Sequence, residues 1–341
     1  MIKGVRTNIK LFVTILSLVF NLGCGPQHKK GPNISKVKLD IQVDHFEKDF
    51  FSLDTNNLQV GLNILKRKYG DFYKDFFYNI AAFSMDEDQF YPEVCTYLRT
   101  YRFIYDSIDY YIPNLNQQIK AIENALKRAK IYFPGRKLPS KVITYIGPID
   151  GFGSFVSKSG IGIGLQQFLG PTFSGYKKEA IYLENLFGKQ KLQQFSPDYI
   201  APSAILCWIN REFPDKAGKY TLQKKLIEEG RKLYLLKILL PDLSDATILG
   251  YTKEQINWCQ NNRILIEHYF KHDNLLKTTD PEKIVAYLSD NQRPVGLPEE
   301  FVDNTGKYLG FLMVSKFMEA HRKTTLKELM LMKLGQIKKV K

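Results

Sequence analysis

Cys24 is the residue whose neighbours most clearly predict a chemical modification. A start with three basic residues is followed by the apolar run Leu11–Phe20 and then by Gly23 and Cys24. This order is typical of an export signal that is removed, and the run is about half of the roughly 20 residues that span a bilayer. The small Gly23 suits cleavage before Cys24, whose sulfur then takes a diacylglycerol. Residues 1–23 are therefore predicted to be a bacterial lipoprotein signal peptide, with Cys24 as the lipidation site.

Asn21 departs from the usual pattern, in which an apolar residue lies three positions before the modified cysteine. An ordinary secretory signal, or an uncleaved anchor followed by a chance cysteine, remains the alternative. Residues 24–40 combine glycine, proline and lysine with few apolar side chains, a composition that cannot build a core. This segment is predicted to be a lipidated N-terminus and tether.

His268 and His272 are the candidates for metal chemistry. Their i,i+4 spacing puts two imidazoles on one face of a helix, as in many zinc sites, and Glu267 or Asp273 could add a carboxylate. In helical zinc-peptidase motifs, however, a glutamate follows the first histidine, and here that residue is Tyr269. The other interpretation is a helix C-terminus at which the two histidines favour the helix dipole.

Glu228 and Glu229 form the other carboxylate pair of interest. Adjacent helical residues point about 100° apart, so the two carboxylates cannot face one substrate together. We expect one to be solvated and the other to turn toward Lys225 or Lys232.

Cys95, Cys207 and Cys259 are the cysteines that remain beyond the signal. An odd number cannot pair fully within one chain, and none belongs to a C-x-x-C motif. Their apolar or aromatic neighbours favour buried structural thiols, while one disulfide with one thiol left over stays open.

Glycine-rich residues 135–175 are predicted to hold the sheet. Three β-like runs lie among turn residues and indicate a small antiparallel meander. The runs are Lys141–Ile146, Phe152–Ser157 and Ile161–Gln166. The pattern Gly160-x-Gly162-x-Gly164 lies inside a strand, which is the wrong context for a dinucleotide loop. The nearby serines lack a G-x-S-x-G elbow, so serine catalysis is not predicted.

Helical periodicity dominates the rest of the chain. Helices are predicted over Leu58–Tyr69, Pro92–Ile104, Asn114–Tyr132, Tyr182–Phe187, Pro197–Arg211, Thr221–Leu239, Thr252–Phe270, Pro281–Ser289 and Thr305–His321. Thr221 and Thr252 are candidate N-caps, and Gln255 would complete a capping box with Thr252. The domain at 41–341 is thus predicted to be α+β and mostly helical. It has a helical lobe at about 41–134, a small sheet at about 140–167 and a second helical lobe at about 176–332.

The formal net charge is +14, and much of the excess lies in residues 29–38 and near the C-terminus. Basic ends on an anchored protein can contact anionic lipid headgroups, or they can simply be solvated tails. No nucleic-acid motif is present, so a nucleic-acid partner is not predicted.

Several motifs together form a recognisable pattern. They are the run Lys225–Tyr234, Leu239-Leu240-Pro241-Asp242, Leu249-Gly250-Tyr251-Thr252 with Glu254-Gln255, Trp258-Cys259, and upstream Ile161–Leu165, Phe168-Leu169-Gly170 and Tyr176. This pattern resembles the GldB-type gliding-motility lipoproteins of gliding bacteria. That family is in turn similar to zinc-dependent peptidases in which a helix carries H-E-x-x-H and a later helix supplies a glutamate before a glycine. Glu229-Gly230 fits the later position, but Ser196–Tyr220 has no histidine. The resemblance therefore implies a degenerate zincin-like scaffold that has lost its metal site.

Together these features predict a non-enzymatic component of the gliding machinery without a metal or cofactor. Its predicted partners are membrane lipid, through acylated Cys24, and other gliding or envelope proteins, and its predicted location is the periplasm-facing cell envelope. The alternative is a membrane-anchored zinc-dependent hydrolase that uses His268 and His272. A third hypothesis is an envelope ligand-binding protein that uses the aromatic residues of segment 46–111, although a buried aromatic core explains those residues more simply.

Overall fold

The computed structural model describes residues 31–215 and 220–337. The predicted signal peptide and Cys24 lie outside the described residues. Asn33–Lys341 forms one compact unit, to which all elements below belong. Of the helices described, none is both long and apolar enough to cross a bilayer.

The first part of the unit is a helical lobe that follows a short strand. Its elements are β1 (Gln42–His45), α1 (Phe46–Phe51), α2 (Leu58–Tyr69), α3 (Asp71–Lys74) with a π-helical continuation (Asp75–Ile80), α4 (Glu87–Tyr111) and α5 (Leu115–Tyr132). The aromatic side chains of this lobe pack on one another: the Phe46 ring centroid lies 4.5 Å from that of Phe76 and 5.2 Å from that of Phe72. All three side chains are buried. The expected aromatic core is confirmed.

The central sheet has four strands in the order β1-β2-β4-β3. They are β1 together with β2 (Lys141–Tyr145), β3 (Ser154–Ser157) and β4 (Gly160–Gly164). β1 pairs parallel with β2, β2 pairs parallel with β4, and only β3 and β4 are antiparallel. The three predicted strands are observed and β3 and β4 pair antiparallel as expected, but the predicted meander is wrong for β2, which pairs parallel with β4. The strand missing from the prediction, β1, is short and mostly polar, and it joins the sheet through contacts about 100 residues away, which no local pattern encodes.

The glycines of β4 serve close packing. A Cβ on Gly162 would lie 2.2 Å from the Phe155 ring, and one on Gly160 would lie 2.3 Å from the carbonyl oxygen of Lys141. The backbone of β4 therefore has no room for larger residues. This agrees with the prediction that the glycine pattern belongs to a strand and not to a phosphate loop.

The second helical lobe follows the sheet. It comprises α6 (Ser174–Lys178), α7 (Ala180–Leu192), α8 (Ile200–Glu212), α9 (Leu222–Leu239), α10 (Asp245–Leu249), α11 (Lys253–Asn261), α12 (Arg263–Lys271), α13 (Pro281–Leu288), α14 (Thr305–Ala320) and α15 (Leu326–Leu331). Short 3₁₀ helices lie at Thr55–Asn57, Leu165–Gln167, Pro197–Tyr199, His272–Lys277 and Leu334–Gln336. The α+β class and the mostly helical composition are as predicted.

Thr221 caps α9, and Thr252 forms a capping box with Gln255 at the start of α11, as predicted. The single helix expected over Thr252–Phe270 is instead two helices. Asn262 leaves helical geometry between them, at φ −105° and ψ 22°. The apolar periodicity continues across this break, so sequence alone could not place it.

Helices α9 and α14 cross in backbone contact at glycines. A Cβ on Gly230 would lie 2.1 Å from the carbonyl oxygen of Gly310, and one on Gly310 would lie 2.0 Å from that of Leu226. Since neither helix can accept a side chain here, this crossing fixes the position of the α9 residue next to Gly230, which is Glu229.

Candidate functional site

A partly enclosed cavity of about 200 Å³ lies among α7, α8, α9, α10 and α14. Four charged residues line it, together with several uncharged polar groups and an apolar wall. The charged residues are Lys191, Glu229, Asp290 and Lys307. Empty cavities in proteins are usually lined by apolar side chains. Four charged side chains therefore mark this cavity as a candidate binding site.

Asp290 is the best-held of these charges. Lys307 Nζ lies 2.7 Å from its Oδ1, and the side-chain amide of the buried Asn304 donates to the same oxygen. Asn304 adopts a left-handed conformation with φ 51°, and its carbonyl accepts from Tyr251 Oη at 3.1 Å. A Cβ on Gly188 would lie 2.2 Å from the Asp290 carbonyl oxygen, so the backbone of α7 is in close contact with the backbone at Asp290. Asp290 and Lys307 therefore form a satisfied and rigid pair.

Glu229 is held more loosely. Its closest cation, Lys232 Nζ, is 3.9 Å away, and that lysine lies only 2.6 Å from Asp215. Burial raises the pKa of Glu229 despite the nearby Lys232 charge. About 31% of the side chain is nevertheless exposed, which is consistent with its lining the cavity.

Glu228 has an entirely different environment from its neighbour. Its side chain is 1% exposed and pairs with the buried Arg231, whose guanidinium also donates to the Met332 carbonyl at 3.3 Å. The prediction that one carboxylate of this pair is solvated is therefore wrong. The expected orientation of the other carboxylate is observed: Glu229 Oε1 lies 3.9 Å from Lys232 Nζ. Tertiary packing encloses the Glu228 carboxylate in the core and leaves the Glu229 carboxylate at the cavity. Helical spacing alone cannot show this difference.

Lys191 faces the cavity with an uncharged partner. Its Nζ lies 3.3 Å from Gln194 Oε1, and burial lowers its pKa.

On the neighbouring α8, the Cys207 thiol donates to the Ser154 carbonyl at 3.2 Å. Burial raises the pKa of Cys207, so this thiol is protonated at neutral pH and is a weak nucleophile.

His268 and His272 lie elsewhere, on an open surface pocket of about 700 Å³. Their ring centroids are 6.3 Å apart. Glu267, one proposed third ligand, is instead bound to Lys316 Nζ at 2.6 Å, and the side chain of Asp273 lies outside the described residues. Within residues 31–215 and 220–337, no group of three or more His, Cys, Asp or Glu side chains could hold a metal ion.

Comparison with known families decides the relationship of the chain. A family model described as gliding motility protein GldB matches residues 27–338. The chain belongs to the GldB family. No curated protein and no solved structure gives a significant match. The matched range of this GldB-family chain contains every element that lines the cavity.

Sequence reasoning found part of the cavity and missed the rest. Glu229 stood out through the Glu-Gly pattern, whereas Ser203 and Cys207, which line the same cavity from α8, were not predicted as site residues. Lys191 and Asp290 were missed because each is a single charged residue in a segment of ordinary composition. No signal short of the fold links them.

The remaining cysteine prediction is settled for the described chain. Cys95, Cys207 and Cys259 are all free thiols there, and Cys259 is fully buried. Cys95 and Cys207 are half-buried, so the expectation of a buried structural thiol holds completely only for Cys259.

Proposed function

We propose that this GldB-family chain is a lipid-anchored, non-catalytic module of the gliding machinery, held in the cell envelope by diacylglycerol on Cys24. The observation that carries the proposal is the export signal ending in Gly23-Cys24, joined to a domain of a gliding-motility family. Membrane lipid and other gliding or envelope proteins are its proposed partners, and the proposed orientation faces the periplasm.

The anchor would keep the folded unit close to the membrane. A mature lipoprotein carries two or three acyl chains, which bind stably where a single chain binds only marginally. The nine residues from Cys24 to Pro32, before the compact unit, can reach at most about 30 Å when fully extended. The lysines in this segment would favour an anionic lipid surface.

The chemistry of the cavity supports a non-catalytic role. Ser203 and Cys207 line the same cavity as Glu229, but none of the described histidines lines it with them, and catalytic zinc sites typically use histidine ligands. The lost-metal-site interpretation of the sequence resemblance is in keeping with this composition.

Metabolic labelling with a fatty acid tests the anchor. The wild-type protein is expected to take up label and to sediment with membranes, whereas Cys24→Ala is expected to do neither. Cys95→Ala is the matched control, since it removes a thiol without touching the signal, and it should label as wild type does. Label that persists in Cys24→Ala, or is absent from the wild type, would overturn the proposed anchor.

Elemental analysis and complementation test the non-catalytic role. Protein purified without chelator is expected to lack stoichiometric zinc, and His268→Ala and His272→Ala are expected to restore gliding to a deletion strain. Near-equimolar zinc that is lost in His268→Ala, together with loss of gliding, would instead establish the hydrolase alternative.

A further inference from the structure

Two opposite charges at the cavity lack a close ionic partner. Among the described residues, Lys191 forms no ion pair within 4.0 Å, and its ammonium is hydrogen-bonded to the neutral Gln194 amide. Two cations act on Glu229 from a distance, and each already has a closer carboxylate partner: Lys232 pairs with Asp215, and Lys307 pairs with Asp290. The neighbouring Asp290–Lys307 pair, by contrast, is closed at 2.7 Å. The cavity therefore contains one matched pair and two charges available to a ligand.

Unmatched charges away from bulk water are unfavourable unless something pairs with them. Lys191 and Glu229 line one cavity without forming an ion pair with each other. A ligand that carries both an anionic and a cationic group would satisfy the two side chains at once. A ligand with only one charge would leave the other side chain without a close ionic partner.

The rest of the wall determines the size and polarity of such a ligand. Phe168, Phe195, Leu206, Leu233 and Ile248 contribute apolar surface. A volume of about 200 Å³ lies below the roughly 300–1,000 Å³ of pockets for drug-sized ligands. The cavity therefore suits a small molecule with an apolar body.

We propose that this cavity binds a free apolar amino acid, with the ammonium group on Glu229, the carboxylate on Lys191 and the apolar body against the apolar wall. This site goes beyond the proposed anchoring role and does not depend on it.

Calorimetric titration of the mature full chain in detergent tests the site. The probes are L-leucine, L-methionine and L-phenylalanine, each compared with its N-acetyl derivative, which lacks the cation, and its amide, which lacks the anion. At least one amino acid is expected to bind, and both of its derivatives are expected to bind about tenfold or more weakly. Failure of all three amino acids to bind, or equal binding of the derivatives, would overturn the proposal.

Two variants assign the charges. Lys191→Met is expected to weaken binding of the amino acid about tenfold without changing the affinity for its amide. Glu229→Gln is expected to do the same without changing the affinity for the N-acetyl derivative. Lys189→Met, an exposed position on the same helix, is the matched control and should bind as wild type does.

The crossed pattern separates recognition from a loss of folding. A misfolded variant would lose the amino acid and both derivatives together, and circular dichroism would report the loss of helix. If a folded Lys191→Met weakened all three ligands equally, the assignment of the carboxylate to Lys191 would be wrong.

Discussion

The α9–α14 crossing leads to a sharp prediction for Gly310→Ala. An added Cβ would lie 2.0 Å from the Leu226 carbonyl oxygen and 2.7 Å from its carbonyl carbon, whereas ordinary contacts are 3.4–4 Å. Both atoms belong to the backbone of a buried helix and cannot turn aside. The two helices must therefore separate by roughly 1 Å or more over a close-packed interface.

The expected cost follows from two opposing effects. Overpacking of a core costs about 1–3 kcal/mol and occasionally more, and a backbone clash belongs at the upper end. Replacing glycine with alanine within a helix returns about 1 kcal/mol. We therefore expect Gly310→Ala to lower the free energy of unfolding by about 2 kcal/mol.

Urea denaturation followed by circular dichroism measures this difference. Gly61→Ala is the matched control in α2, because its Cβ would meet only the terminal Cδ2 methyl of Leu53, at 2.5 Å. That side chain can rotate away, so the control should be near neutral or slightly stabilised. If Gly310→Ala unfolded within about 0.5 kcal/mol of Gly61→Ala, the argument that this crossing admits no side chain would be refuted.

Two further predictions concern charged groups of the second lobe. Glu228→Gln removes the partner of the buried Arg231 and should cost about 3–5 kcal/mol in urea denaturation; a change below 1 kcal/mol would contradict the role of this pair. Burial alone would raise the pKa of Glu267, but the hydrogen bond from Lys316 and nearby cations lower it overall. Its stabilising contribution is therefore present above its unfolded pKa of about 4.5 and is lost as the pH falls through its lower folded pKa. The stability difference between wild type and Lys316→Met should accordingly shrink as the pH falls from 6 to 3; a constant difference would argue against this ion pair.

Local signals predicted the helices well. The range Leu58–Tyr69 is observed as predicted, and the caps at Thr221 and Thr252 form as the sequence indicates. These features depend on side chains within one or two helical turns, so their physics is contained in a short window. The strand β1, which depends on distant contacts, and the break at Asn262 were both missed.

The sequence by itself predicted an export signal and the lipidation candidate Cys24, and it determined the helical composition and the family. Those properties depend on the order of residues along the chain or on periodicity within one element. Only the tertiary structure decided that Glu228 is closed in an ion pair while Glu229 lines a cavity, and that Lys191, Asp290 and Lys307 line that same cavity. The reason is physical: burial and charge pairing are set by helices that meet across about 80 residues of chain, and the contact between Gly230 and Gly310 fixes how closely they meet.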